Sequence, residues 1–171
     1  MKQLRKYNNE LKTILLDEQY LFAYSKSDGF SHRLLGAELV VDYDYNYVLE
    51  LNAFNHEQIT KNESNVFIEK GILKGLMLKH IEKLLSSDFN SLKQLYDYEG
   101  LAITDIGSQQ IFINLDKTTK YIEILDGLSI ECFESQPEKI LFELNEYFKS
   151  LIVDKYTSWI NKKTTHNNGY K

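Results

Sequence analysis

The chain has 171 residues, 43% of them hydrophobic and 26% charged, with a formal net charge of −5. That length and balance fit one soluble globular domain whose core needs no disulfide staples. The acidic balance speaks against a general nucleic-acid binder, which carries a basic stripe to displace phosphate counterions. The single Cys132 leaves no intrachain disulfide and no multi-cysteine zinc site.

In chain order, the first signal is helical. Leu4, Tyr7, Leu11, Ile14 and Leu15 recur at three- and four-residue spacing, and Tyr20, Leu21, Phe22 and Tyr24 extend the register. The spacing predicts a helix over residues 2–24. This segment is charged and has no apolar core of the kind a secretion signal carries, so a cytoplasmic product is expected. No apolar run reaches the ~18 residues of a membrane span. Ser25, Ser27, Asp28 and Gly29 then suit a turn.

From Val41 the alternation is strict. Extended, it puts Val41, Tyr43, Tyr45, Tyr47, Leu49 and Leu51 on one face and Asp42, Asp44, Asn46, Val48, Glu50 and Asn52 on the other. Residues 42–46 also read as a polar loop between two shorter strands. Asp42, Asp44 and Glu50 are the densest acidic group with aromatics between them. A solvated edge, a surface for a basic partner and a cation site all remain open for it. The Asp42, Asp44, Asn46 spacing resembles a calcium loop, but Tyr47 stands where the sharp turn needs Gly. As a partner-binding surface the segment is Asp42, Tyr43, Asp44, Tyr45, Tyr47 and Glu50, joining contact area to steering charge.

Residues 56–65 are polar and read as a loop. Ile68, Ile72, Leu73, Leu76, Met77, Ile81, Leu84 and Leu85 make one stripe, predicting a helix over residues 68–85. Gly71 and Gly75 weaken it and mark places where another element comes close. A connector with a helical turn covers residues 88–98.

A sheet is expected over residues 101–133, from apolar runs at 101–106, 110–115 and 120–125 and a weaker one at 128–133. Asp126-Gly127 carries the two-residue hairpin signature. Ser135 and Glu138 then form a capping box around Pro137, opening a helix over residues 136–160. Its stripe is Ile140, Leu141, Leu144, Tyr147, Phe148, Leu151, Ile152, Tyr156, Trp159 and Ile160. Residues 164–171 are polar and expected to fray. The fold class is α+β: one domain over residues 1–163, an antiparallel sheet flanked by N-terminal, middle and C-terminal helices.

No glycine-rich phosphate loop and no nucleophile elbow is present. His32, His56, His80 and His166 have no partner at ligand spacing, and His80 reads as a boundary residue of its helix. Cys132 reads as a buried, inert thiol. The raw material for catalysis is His32 near Asp28, and Cys132, so no catalytic, metal or cofactor residue is assigned.

The run Ser27-Asp28-Gly29-Phe30, followed by Leu34-Leu35-Gly36-Ala37-Glu38, resembles a step of the SUKH superfamily, the Smi/Knr-type domains. Residues 101–116 resemble that family's central hairpin and residues 120–125 its next strand. The capped helix with Leu141, Leu144, Tyr147, Phe148 and Leu151 resembles its closing helix. Many such domains are bacterial immunity proteins against polymorphic toxins. The resemblance implies a non-enzymatic protein that occludes a toxin through a variable, often acidic surface. The expected function is therefore a cytoplasmic inhibitor of a basic protein such as a nuclease toxin, with no nucleic acid, membrane or cofactor partner. The alternatives are an acidic secretion chaperone, dimeric with an apolar groove for its effector, and a small enzyme with an unrecognised site.

Overall fold

The computed structural model describes residues 5–9, 13–27, 34–53, 65–98, 106–116 and 118–167. Among them run β1 (Arg5–Asn8), β2 (Thr13–Leu16), β3 (Tyr20–Ser27), β4 (Leu34–Asp42), β5 (Asn46–Ala53) and β6 (Val66–Ile72). There follow α1 (Gly75–Leu85), β7 (Leu95–Tyr96), β8 (Ser108–Leu115), β9 (Thr118–Leu125) and α2 (Gln136–Asn167). The fold is α+β. Strands β1 and β2 form their own hairpin. The other seven form one sheet in the order β6-β5-β4-β3-β8-β9-β7, antiparallel except where β7 runs parallel to β9.

The expected N-terminal helix is not there: the described parts of residues 5–27 form β1, β2 and β3. The reason is burial on two sides. Strand β3 lies inside the sheet, and Leu21 through Tyr24 are all buried. Phe22 and Tyr24 face the helices, while Ala23 packs with Leu16, Val40 and Phe112 on the other face, next to Ile14 of β2. A strand covered on both faces reads as a continuous apolar run, which periodicity cannot separate from a buried helix.

The expected helix over residues 68–85 splits in two. Its first part is β6, and only Gly75–Leu85 is helical. Gly75 has φ +61°, and this left-handed residue turns the chain from strand to helix. Gly71 is a close approach. A Cβ there would lie 2.9 Å from the Tyr47 ring.

The C-terminal half follows expectation more closely. Strands β8 and β9 pair through a tight turn, with Leu115 opposite Thr118 and Asp116 at φ 49°. The run at 128–133 is a 3₁₀ turn at Ile130–Cys132 rather than a strand, so the Asp126-Gly127 turn leads out of the sheet. Cys132 is exposed, not buried, because that turn sits at the surface. Residues 54–64 and 101–105, with most of the polar loop and of the first sheet run, lie outside the described residues, as do His32 and Asp28.

Helix α2 opens on the capping box. Ser135 N–H donates to Glu138 Oε2 at 2.8 Å, and Glu138 N–H donates to Ser135 Oγ at 3.3 Å. The helix runs to Asn167, beyond the expected end. Its apolar stripe lies on one face of the sheet. Leu144, Phe148 and Ile152 pack with Phe22, Tyr24, Ile111, Ile113, Ile122 and Ile124, and Phe148 sits 4.9 Å from Tyr24, ring to ring. Helix α1 joins this layer through Ile81 and Leu84. Met77 is half-buried at its edge. Tyr24 carries its hydroxyl into the core and donates to Asn145 Oδ1 at 3.0 Å, so this buried oxygen is satisfied. No helix among the described residues is long and apolar enough to cross a membrane.

Candidate protein-binding face

The sheet has two unlike faces. One is covered by α1 and α2. The other, the outer face, is covered by the β1–β2 hairpin over β3, β8 and β9. Antiparallel register and the alternation of side chains decide what lines it. One row crosses the strands as Glu123, Gln110, Ser25, Glu38, Glu50 and Ile68. The next holds Tyr121, Phe112, Ala23, Val40, Val48 and Lys70.

The acidic segment folds at the β4–β5 turn. Asp42 ends β4 and Asn46 begins β5, so residues 42–46 are the polar loop of the second reading. Asp42 Oδ1 accepts the N–H groups of Asp44 at 2.9 Å and Asn46 at 2.8 Å, and the Asn46 amide donates to Oδ2 at 3.0 Å. Its carboxylate therefore holds the turn. Tyr45 takes φ 61°, and its carbonyl accepts Leu73 N–H at 2.8 Å.

The single strand face expected for Asp42, Asp44 and Glu50 does not form, because the turn interrupts the alternation. Asp44 is exposed at the tip, and Glu50 lies on the outer face in mid-strand. The three tyrosines also part. Tyr43 is 51% exposed and donates to the Asn114 carbonyl at 3.2 Å. Tyr45 and Tyr47 pack on the helix side. Tyr47 donates to Glu69 Oε1 at 2.7 Å.

Glu38 escaped the sequence reading. It stands directly opposite Glu50 in the β4–β5 pairing. The signal was available: folding the chain back about Asp44 brings Glu38 to Glu50 and Val40 to Val48. Like charges directly opposite are unfavourable unless a cation intervenes. Here Arg5 of β1 intervenes. Its Nη2 lies 3.0 Å from Glu38 Oε2 and donates to Ser25 Oγ at 2.7 Å, while its guanidinium sits 4.8 Å from the centre of the Phe112 ring. Burial pushes the Glu38 carboxyl up, and Glu50 adds to this against the pull of Arg5. Among the described residues Glu50 Oε1 accepts the neutral Asn52 amide, two residues along the same strand, at 3.1 Å.

Two of the hollows among the described residues lie away from these acids. One of about 430 Å³ is lined by Lys93, Tyr96, Tyr98, Glu131 and Cys132 among others. Lys93 approaches the Tyr96 ring there, and Tyr96 stacks on Phe133. The other, about 720 Å³, lies between the β1–β2 hairpin, Tyr43 and the β8–β9 turn. Its buried Asn114 amide donates to the carbonyls of Asp17 at 3.2 Å and Tyr20 at 2.9 Å, fixing the β2–β3 turn. His80 stacks on Tyr147 at 4.5 Å, and burial holds its imidazole below the ordinary value. Among the described residues no three of His, Cys, Asp and Glu come together as a metal would need.

No family model matches this chain, and no curated protein is similar to it.

Proposed function

We propose that the protein is a non-enzymatic, cytoplasmic binding module that occludes a basic protein partner, as toxin-immunity proteins of the type it resembles do. The observation that carries this reading is the treatment of Arg5. The outer face takes an arginine with a carboxylate, a hydroxyl and an aromatic ring, which is the chemistry by which a sheet recognises basic side chains. Glu50 repeats the carboxylate one strand further out, beside exposed Ile68, and among the described residues no cation stands on that row beside it. Asp44 adds steering charge at the open end. Asp42 serves the turn, and Tyr43 supplies exposed aromatic area beside it.

The test is charge reversal where the fold does not depend on the charge. The full chain is used to capture its partner, wild type against Asp44→Lys with Glu50→Lys. A basic protein should be recovered whose association slows at least about tenfold in the variant, with a flatter salt dependence. An unchanged association rate overturns the reading.

An acidic secretion chaperone is the second reading. It is favoured by the exposed Ile68, Ile72 and Leu76, which offer apolar area near the acidic rows. A chaperone would bind its effector through those residues, so Ile68→Ser with Leu76→Ser would abolish capture while Asp44→Lys with Glu50→Lys left it intact.

A further inference from the structure

Arg5 and the groups that hold it belong to different sheets. Ser25 of β3, Glu38 of β4 and Phe112 of β8 stand on three adjacent strands of the main sheet, with Ser25 directly opposite Glu38. Arg5 is on β1, which pairs with β2 and, among the described residues, with no strand of the main sheet. The receiving groups are therefore placed by backbone pairing that does not involve their occupant. The apolar anchor of the hairpin is its other strand. Ile14 and Leu16 of β2 pack with Ala23, Val40 and Phe112, and the Asn114 amide holds the β2–β3 turn. A two-stranded hairpin of four-residue strands has little stability of its own.

Arg5 fills this place imperfectly. A guanidinium binds a carboxylate best as a fork, with two N–H groups on two oxygens. Here one nitrogen, Nη2, serves both Glu38 Oε2 at 3.0 Å and Ser25 Oγ at 2.7 Å. Arg5 Nε is buried with no acceptor among the described residues, an unfavourable state that a well-seated arginine avoids. Arg5 pairs with Glu38, and Glu50 stands directly opposite Glu38 on the side away from Ser25. The place is open to exchange with solvent: 26% of the Arg5 side chain and 34% of the Glu38 side chain are exposed.

We infer that Arg5 is an internal stand-in for an arginine of the basic partner, which on binding takes the place of Arg5 on Phe112, Ser25 and Glu38. This rests on the function proposed above and names the side chain that the face recognises. An arginine entering from the β5 side meets Glu38 and Glu50 together, two carboxylates where Arg5 uses one. Exchange replaces one guanidinium by another over the same ring, so the affinity for the partner is set by the difference between the two arginines. Until then Arg5 keeps other cations off the Glu38 carboxylate. Lysine is the poorer ligand, because its point charge lacks the planar fork that stacks on a ring while donating to a hydroxyl and a carboxylate at once.

Fluorescein-labelled hexa-arginine, with hexa-lysine for comparison, tests this on the full chain at low salt by fluorescence anisotropy. Arg5→Lys keeps the net charge and gives up the fork. Hexa-arginine should bind it about tenfold tighter than wild type, and hexa-lysine about equally to both. Arg5→Met, whose unbranched stem can stay over Phe112, should gain at least as much for hexa-arginine. Glu38→Gln added to either variant should remove the gain. No gain in Arg5→Lys and Arg5→Met, or an equal gain for the two peptides, overturns the inference. Its failure is separable from that of the binding reading. A captured basic protein whose association slows in Asp44→Lys with Glu50→Lys, but is the same in Arg5→Lys and wild type, keeps that reading and discards the stand-in. The expected gain for hexa-arginine with no basic protein captured upholds the arginine site and discards that reading.

Discussion

The Tyr47 hydroxyl and Lys155 Nζ converge on one oxygen, Glu69 Oε1, at 2.7 and 2.8 Å. Three elements, β5, β6 and α2, are tied by that contact, and the Tyr47 ring reaches it only by crossing bare Gly71. Gly71→Ala should therefore destabilise the protein by about 1–3 kcal/mol, because the ring must leave its place. In a Tyr47→Ala background the same substitution should be close to neutral. Urea unfolding of the four proteins measures the coupling.

The same pair sets two limits of stability with pH. Burial pushes the Glu69 carboxyl up, but the donors Lys155 and Tyr47 outweigh it and hold it below the ordinary value. Its contribution is present above the unfolded carboxyl value, about 4.3, and is lost as pH falls through the lower folded value. Burial and the Glu69 carboxylate push the Tyr47 hydroxyl up to about 12. Its contribution is full below the unfolded phenol value, about 10, and is lost as pH rises toward the folded one. Tyr47→Phe should flatten the alkaline fall and Glu69→Gln the acid fall, both read from urea midpoints against pH.

Phe148 joins the two layers of the core, in contact with Phe22 and Tyr24 of β3. Phe148→Ala should cost about 3–5 kcal/mol, the range for emptying a well-packed aromatic site. A loss under about 1 kcal/mol, measured by chemical denaturation, would place α2 at the periphery of the core.

The capping box makes a smaller, local claim. Ser135→Ala leaves the Glu138 N–H without its acceptor and should cost about 1 kcal/mol. Ser135→Asp should keep the stability. Thermal unfolding followed by circular dichroism compares the three proteins.

Lysine 149 offers a test across the opposite end of the sheet. Its Nζ lies 3.1 Å from Asp126 Oδ1, and Lys26 approaches the other oxygen at 3.7 Å. Burial pushes Asp126 up, and the two lysines overcome it and hold the carboxyl below its ordinary value. Lys149→Met should shift the acid unfolding midpoint to higher pH, since Asp126 then takes up its proton earlier.

The parts legible in the amino-acid sequence are those whose signals are local. The box at Ser135 and Glu138, the long stripe from Ile140 to Ile160 and the alternation in β8 and β9 each depend on neighbours within one element. They located α2 and its sheet face, where Leu144, Phe148 and Ile152 are buried together with Ile111, Ile113, Ile122 and Ile124. Tertiary structure decided the N-terminal half. Leu21 through Tyr24 became a strand because α2 covers one side of it and the β1–β2 hairpin the other. Ile68 and Ile72 lie on the outward face of an edge strand because β5 was there to pair with it. The candidate face has the same origin. Asp44 and Glu50 stood out in the sequence, but Glu38 comes opposite Glu50 only through cross-strand register, and Arg5 meets Glu38 only through the docking of a distant hairpin. Periodicity records which side of an element is apolar; it does not record how many sides the rest of the chain will cover.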